Sequence, residues 1–252
     1  MHPDEYAKMY ELEDVYWWFQ GRKKIILNLM HRYINDKSGK VKVLDLGCGT
    51  GLIMDSLNYR YHPLGLDFSG KALDYCRKRG LHELICGDVS RMPLASQQIP
   101  VIVALDLIEH VEDDNALMKE MLRILEPGGL LFITAPAYKF LWGEHDEALY
   151  HFRRYEAKEL KALLKKHNFH ILKFSYAISF LTAPIIIFRW LRNLLRKKSA
   201  PKTHLIVLPR IINRLLLLIL HLEAWLLRFI NFPFGVSLVA VAQKPFEQKK
   251  EN

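Results

Sequence analysis

The sequence is poor in cysteine, with only Cys48, Cys76 and Cys86 among its 252 residues. This odd number lacks the paired spacing of a zinc site and the framework of a disulfide-rich fold. Small apolar thiols within strands and helices fit a reducing compartment, so we expect a cytoplasmic protein. No internal repeat is present, and residues 1–5 lack the apolar stretch of a secretory signal. The length suits one large α/β domain with an insertion or lid.

Acidic residues are scarce in one region, residues 177–230, which hold nine Lys or Arg and a single acid, Glu223. The region therefore carries a net charge of +8 out of +9 for the whole chain. It is also strongly apolar, but it has no uncharged run of the roughly 20 residues that a membrane-spanning helix needs. Pro184 and Arg189 interrupt its first apolar stretch, and several charges interrupt the second.

This basic, apolar region is typical of helices that lie in a membrane interface, with arginines facing anionic headgroups. Trp190 and Trp225 would then lie at headgroup level. The alternatives are an enlarged core, a dimer interface or, less favoured, a spanning helix. Nucleic acid is a less suitable partner, because RNA-binding surfaces rarely expose runs such as Ile185–Ile187.

Residues 43–51, Val-Leu-Asp-Leu-Gly-Cys-Gly-Thr-Gly, predict a buried strand that runs into a glycine turn. Three glycines let the backbone turn sharply and approach a ligand closely, since no Cβ intervenes. A helix from about Leu52 would offer free N–H groups to a polar ligand. A tight strand-to-helix connection without a ligand is the alternative interpretation.

Further strands and helices alternate after this turn, which predicts a doubly wound parallel sheet. A second strand ends at Asp67, where a carboxylate can accept hydrogen bonds from a ribose diol. A third strand is followed by Asp88, within reach of an adenine amino group, and a fourth ends before Asp106. Glu126–Gly129 is expected to end a helix before a fifth strand over residues 130–134.

The chain resembles the class I S-adenosylmethionine-dependent methyltransferases over roughly residues 40–176 and 234–243. Residues 45–51 are similar to the first motif of that superfamily, and residues 125–129 to its Leu-x-Pro-Gly-Gly turn. Dinucleotide-binding proteins compete for such glycine turns, but their third glycine comes one residue later. The resemblance implies a Rossmann-like seven-stranded sheet with strand 7 antiparallel, and S-adenosyl-L-methionine as cofactor. The implied cofactor-binding residues are Asp45, Gly47, Cys48, Gly49, Thr50, Gly51, Asp67, Phe68, Asp88, Val89 and Leu105.

Two segments outside the motif are candidates for the acceptor side of the site. Four aromatics at residues 16–19 precede Arg22, which we assign to the cofactor carboxylate, although these aromatics could equally pack in the core. His110, after the fourth strand, and His145 and His151, after the fifth, are the candidate catalytic bases. We assign no metal ion. The alternative is a divalent ion on a set drawn from Asp106, Glu109, His110 and either His145 or His151.

The sequence therefore predicts an enzyme that methylates an O or C atom of a small amphipathic or lipid-like acceptor at an anionic membrane surface. We expect a helical cap at 1–39, a methyltransferase domain at 40–176 plus 234–244, and an interfacial insertion at 177–233. The alternatives are a soluble small-molecule enzyme with the insertion as dimer interface, an RNA methyltransferase, or a non-enzymatic binding module.

Overall fold

A computed structural model describes residues 3–35, 41–194 and 208–246 of the chain. The basic residues of the segment 195–207 therefore lie outside the described residues. The helices are α1 (Pro3–Leu12), α2 (Trp17–Tyr33), α3 (Leu52–Leu57), α4 (Gly70–Lys78), α5 (Asp114–Ile124), α6 (Glu144–Ala148), α7 (Ala157–Lys166), α8 (Thr182–Leu194) and α9 (Arg210–Leu226). The strands are β1 (Lys42–Leu46), β2 (His62–Asp67), β3 (Leu84–Cys86), β4 (Ile99–Leu105), β5 (Leu125–Pro136), β6 (His170–Ala177) and β7 (Ser237–Gln243).

The strands form one seven-stranded sheet in the order β3-β2-β1-β4-β5-β7-β6. The first five strands are parallel, and β7 is antiparallel to both β5 and β6. Strand order reverses beside β1, so the carboxyl ends of β1 and β4 flank the crevice where such sheets bind ligands. The predicted Rossmann-like sheet with strand 7 antiparallel is confirmed.

Two large apolar clusters cover the two faces of the sheet. One packs α5 and α7 against the sheet, and the other packs α2 and α9 against it. Helices on both faces are the arrangement that a doubly wound fold requires.

Helix α9 is joined closely to α2, so the insertion is partly core. Gly21 of α2 lies so near Leu220 that an added Cβ would come within 2.2 Å of Leu220 Cδ1. The side chain of Asn213 accepts a hydrogen bond from Trp17 N at 2.9 Å and donates to Val15 O at 2.9 Å. The alternative expectation of an enlarged core therefore holds for one face of α9.

The start of β5 differs from the prediction. Residues 126–129, expected to separate the helix from the fifth strand, belong to the strand, and pairing with β4 shifts register between Ile99 and Val101. Gly128 adopts a φ of 77°, which lets the extra residues bulge without breaking the strand. The Pro-Gly-Gly pattern alone indicates a turn. The chain remains extended here because it pairs with the neighbouring strand β4.

Among the residues that the structure describes, no helix combines the length and apolar character that crossing a membrane requires. A spanning helix, the least favoured expectation, is thus not found in these ranges.

Candidate active site

The glycine turn after β1 forms a loop that only glycine accommodates. Gly47, Gly49 and Gly51 have φ angles of 67°, 54° and 87°, all in the left-handed region. A Cβ on Gly51 would lie 2.7 Å from Leu81 Cδ1, and neighbouring side chains of the loop, Cys48 and Thr50, are buried. The loop backbone is therefore fixed in a shape that an ordinary side chain would disturb.

Two buried carboxylates border this loop. Asp45 is buried at the end of β1, and its Oδ2 has no hydrogen-bond partner among the described residues. Burial, and then the charge of Asp67, raises the pKa of Asp45 to about 8. Asp67 accepts hydrogen bonds from Gly49 N and Ser69 N, both at 2.9 Å. Burial raises the pKa of Asp67, and these hydrogen bonds oppose the rise.

An orphaned buried carboxyl oxygen costs free energy unless a ligand supplies a partner. The methionine part of S-adenosylmethionine carries an ammonium group, which suits Asp45 Oδ2. The donor set therefore fits that cofactor.

The other predicted cofactor residues line the same edge of the sheet. Phe68 follows β2 and is 70% exposed, as a side chain offering its face to a base would be. Asp88 is exposed after β3, where it accepts a hydrogen bond from Ser90 N at 2.8 Å, and Val89 beside it is half-buried. Leu105 ends β4 and is half-buried.

Helix α1 lies across the glycine loop. Glu13, just after α1, is buried and accepts hydrogen bonds from Thr50 Oγ1 at 2.6 Å and from Arg79 Nη2 at 2.7 Å. Arg79 also donates to Thr50 O at 3.0 Å. Met9 of α1 lies 3.9 Å from the position of a Cβ on Gly49. These contacts hold α1 and Glu13 directly against the glycine loop at residues 47–51.

Arg22 of α2 reaches the carboxyl end of β4 rather than open solvent. It forms an ion pair with Asp106 and donates a hydrogen bond to Thr134 Oγ1 at 3.3 Å. Asp106 has a φ of 47° and is anchored by Thr134, which donates to Asp106 Oδ1 at 2.9 Å. The guanidinium lies 5.6 Å from the Trp18 ring centroid. Arg22 is thus held at the cofactor edge of the sheet, with one acidic partner already in place.

The three predicted catalytic histidines come together in one cluster. The His110 and His151 rings are perpendicular at 4.6 Å between centroids, and the His145 and His151 rings lie 6.4 Å apart. His110 comes from the 3₁₀ turn after β4, whereas the other two come from α6 and the loop behind it. His110 precedes His145 by 35 residues and His151 by 41 residues in the sequence. Parallel pairing of β4 with β5 brings His110 close to the other two.

Two members of this cluster have lowered pKa values. Burial, and then the charge of His151, lowers the pKa of His110 to about 4. Burial, and then the charge of Arg189, lowers the pKa of His145 to about 4. Both rings are therefore neutral near pH 7 and are weak bases.

Glu109 adds an acid to the same cluster. Its Oε2 is buried without a hydrogen-bond partner in the described part of the chain, and burial followed by the charge of Asp106 raises its pKa well above the usual range. Ligand atoms of Glu109, His110 and His151 all lie within 4.8 Å of one another. These three side chains could hold a divalent ion, and they agree with part of the alternative metal set.

Two buried acids at the candidate site were not selected from the sequence. Asp146 is fully buried, with its carboxylate 2.9 Å from His151 Nδ1 and 2.9 Å from Arg154 Nε. Glu13 is the link between cap and loop described above. The acid that directly follows His145 could have drawn attention to Asp146, but no short-range pattern pairs Glu13 with a loop 37 residues away.

A glycine turn after the first of several parallel strands, bordered by buried carboxylates, defines a Rossmann-like protein that binds a nucleoside cofactor. Residues 44–133 match the family model described as a methyltransferase domain. Residues 44–133 are thus similar to a methyltransferase domain, and this likeness and the fold imply S-adenosyl-L-methionine as the cofactor.

Curated relatives agree with this assignment. A "Probable tRNA methyltransferase 9B" of Mus musculus is 31% identical over 107 residues, which cover 41% of this chain and 24% of the relative. A "Probable S-adenosylmethionine-dependent methyltransferase" of Mycolicibacterium smegmatis is 28% identical, covering 62% and 60%. A ubiquinone biosynthesis O-methyltransferase of Coxiella burnetii is 28% identical, covering 52% and 61%. The chain thus spans between a quarter and three-fifths of these relatives.

Solved structures share the fold. A methyltransferase of Archaeoglobus fulgidus, described as SAM-dependent, superposes with a TM-score of 0.57 at 16% identity, covering 88% of this chain and 94% of that chain. The [4+2]-cyclase SpnF superposes with a TM-score of 0.57 at 20% identity, covering 88% and 81%. Because that neighbour is named for a different reaction, the fold alone does not determine the chemistry.

Proposed function

We propose that this protein transfers a methyl group from S-adenosylmethionine to an oxygen or carbon atom of an amphipathic, lipid-like acceptor at an anionic membrane surface. The observation that carries the proposal is an exposed apolar stripe along α9, beside basic residues and with no exposed acid among the described residues of 177–233.

The stripe has a regular helical spacing. Its members are the exposed residues Ile211, Leu215, Leu218, Leu222, Trp225 and Phe229. Steps of three and four residues place all six on one face, opposite the buried face of Leu220 and Ala224. Trp190 and Leu191 of α8 are also exposed apolar side chains. A row of exposed apolar side chains such as that on α9 marks a surface that contacts a partner or a membrane.

Charge favours an anionic membrane over a second copy of the chain. Arg210 and Arg214 are exposed at the start of α9, and Arg228 follows its end. The one acid of the region, Glu223, is buried and accepts a hydrogen bond from Phe180 N at 3.1 Å. Packing two such stripes together would bring arginines near arginines, whereas anionic headgroups would neutralise them.

The cofactor supplies an activated methyl group on a sulfonium sulfur, so the protein must mainly position the acceptor and exclude water. We assign Asp45 to the ammonium group of the methionine part and Asp67 to the ribose hydroxyls. Phe68, Asp88 and Val89 are assigned to the adenine, and Arg22 to the cofactor carboxylate. A hydroxyl acceptor also needs a base to take its proton, and the histidine cluster supplies it.

The relatives support two classes of acceptor. The Coxiella burnetii relative is named as a ubiquinone biosynthesis O-methyltransferase, which supports an apolar hydroxyl acceptor. The Mus musculus relative is named as a tRNA methyltransferase, which supports RNA. The aliphatic stripe favours the first class, because contact with phosphates does not bury leucine side chains.

The acceptor is tested with labelled S-adenosylmethionine, the full-length protein and a membrane extract or total RNA. We expect label in an organic-soluble product, identified by mass spectrometry. Label found only in RNA would overturn the lipid-like acceptor, and label in neither fraction would contradict methyl transfer to both classes.

The membrane surface is tested separately by co-sedimentation with vesicles of phosphatidylcholine, with and without phosphatidylglycerol. We expect binding to the anionic vesicles that weakens as salt increases. A triple variant of the stripe, L215S/L218S/L222S, should bind at least about tenfold more weakly, because burying even one leucine side chain contributes about 1.5–3 kcal/mol. The matched control is Tyr59→Ser, which removes a 93% exposed aromatic outside α8 and α9. Equal pelleting of all three proteins, or a dimer in light scattering without lipid, would remove the membrane claim.

A further inference from the structure

The buried carboxylate of Asp146 lies beside the histidine cluster and contacts His151 directly. Its Oδ1 accepts hydrogen bonds from Arg154 Nε at 2.9 Å and lies 2.9 Å from His151 Nδ1. Its Oδ2 accepts a hydrogen bond from Gly143 N at 3.0 Å and lies 3.6 Å from Arg189 Nη1. Both oxygens are therefore engaged, and no part of the side chain reaches solvent.

The surroundings keep this carboxylate ionised. Burial alone would raise the pKa of Asp146, but the hydrogen bond from His151 and the charges of Arg154 and Arg189 outweigh burial and hold the pKa well below its usual range. An ionised carboxylate only accepts hydrogen bonds. His151 must therefore donate from Nδ1, which leaves Nε2 as the nitrogen with the free lone pair when the ring is neutral.

The contact with Asp146 also distinguishes His151 chemically from the other two histidines. His110 and His145 lie beside His151 in the same cluster, with ring centroids 4.6 Å and 6.4 Å from that of His151. Of the three, only His151 has a carboxylate within hydrogen-bonding distance in the described residues. A carboxylate in that position stabilises the imidazolium that forms when a base takes a proton.

We propose that Asp146 is the positioning residue of this site: it fixes the His151 ring with its proton on Nδ1 and thereby makes His151 the base that receives the proton of a hydroxyl acceptor. This inference rests on the proposed function, because it assigns a role within the same site. The proton of the acceptor hydroxyl passes to His151 Nε2 as the hydroxyl oxygen bonds to the methyl carbon. The electron pair of the broken carbon–sulfur bond remains on sulfur, and the imidazolium later releases its proton to water.

The tautomer of His151 can be measured without knowing the acceptor. In protein labelled with ¹⁵N-histidine, nitrogen shifts show which ring nitrogen carries the proton, and His151→Gln identifies the signals. We expect Nδ1–H in the wild-type protein at a pH where the ring is neutral. Asp146→Asn should shift the ring toward Nε2–H, because the amide can donate to Nδ1. Asp74→Asn, which removes an exposed carboxylate paired with Arg77 on α4, is the matched control and should change nothing.

Methyl transfer in the membrane-extract assay provides the second readout. Asp146→Asn should lower the rate by about 10²–10⁴-fold, the usual contribution of a positioned base, while S-adenosylhomocysteine binds within about twofold of wild type. Asp146→Glu should restore part of the rate. An Nε2–H tautomer in the wild-type protein would overturn the proposal even if the asparagine variant failed to fold. An unchanged tautomer and rate in a folded Asp146→Asn protein would also overturn it. Absence of any methyl transfer by the wild type would count against the proposed function, whereas the tautomer measurement would still decide the role of Asp146.

Discussion

Binding of the cofactor product S-adenosylhomocysteine should release a proton from Asp45. The carboxyl group is wholly buried, and burial with the nearby charge of Asp67 raises its pKa to about 8. At pH 7 about nine-tenths of ligand-free molecules therefore carry a proton on this group. The ammonium group of the bound ligand would favour the carboxylate form. We therefore expect a release of about 0.9 proton per ligand at pH 7, declining toward zero as the pH rises past 9.

Calorimetry in two buffers with different ionisation enthalpies measures this number directly. The observed binding enthalpy changes with the buffer enthalpy, and the slope gives the protons released. The affinity should also rise by up to about tenfold per pH unit below pH 8 and level off above it. Asp45→Asn should abolish the release, whereas Asp88→Asn, at an exposed carboxylate, should preserve it. Zero release by the wild type at pH 7, or equal release by Asp45→Asn, would refute the assignment of Asp45.

The ligand-free protein provides an independent check. Because the pKa of Asp45 is raised in the folded state, the folded state binds this proton more tightly than the unfolded chain does. The contribution of Asp45 to stability is therefore present at low pH and is lost as pH rises from about 4 through 8. Denaturant unfolding of wild type and Asp45→Asn should diverge over that window. If the free energies of unfolding of the two proteins changed with pH in parallel, the pKa of Asp45 would not be raised in the folded state.

Three further predictions follow from the cap and the glycine loop. Gly51→Ala should destabilise the fold by about 1–3 kcal/mol in denaturant unfolding, because it combines a φ of 87° with a Cβ only 2.7 Å from Leu81 Cδ1; a change below 0.5 kcal/mol would contradict the loop geometry. Gly21→Ala should lower the thermal midpoint by forcing α2 away from Leu220, and an unchanged midpoint would show that the two helices can separate freely. Glu13→Gln should speed the amide hydrogen exchange of α1 by about tenfold and accelerate release of S-adenosylhomocysteine, because the ion pair between Glu13 and Arg79 holds α1 on the glycine loop. An unchanged exchange rate would mean that other contacts hold this helix.

The sheet could be predicted from the sequence because its signals are local. Apolar runs with an acid at or next to their carboxyl ends, Asp45, Asp67 and Asp106, indicate buried strands, and parallel pairing then brings those ends to one edge. The start of β5 could not be predicted in this way. The turn-forming residues at 126–129 become strand only through pairing with β4, which is a long-range contact.

The candidate site likewise combines features that local sequence signals predict with features that depend on long-range contacts. The glycine turn and its carboxylates follow from motif spacing, and the histidines were selected as residue types suited to proton transfer. The contacts of Asp146 with His151 and with Arg189 of α8 are tertiary, and no periodicity in the sequence predicts them. The contact of Glu13 with Thr50 likewise depends on α1 folding back over the loop. The sequence therefore predicted candidate groups for the chemistry, whereas tertiary packing determined which of these groups are neutral, charged or paired.

Helix α8 connects the proposed membrane surface to the proposed base. Its residues Trp190 and Leu191 are exposed, whereas the neighbouring Arg189 donates a hydrogen bond to Leu141 O at 3.0 Å and lies 3.6 Å from Asp146 Oδ2. One helix thus presents apolar side chains outward and a guanidinium to the carboxylate that orients His151. Because Arg189 helps to keep Asp146 ionised, a displacement of α8 would move this positive charge away from Asp146 and so alter the carboxylate that contacts His151. Under the proposed function, an acceptor that partitions into lipid would meet the proposed base beside a helix of the proposed membrane surface, which would be a physical reason for the insertion between β6 and β7.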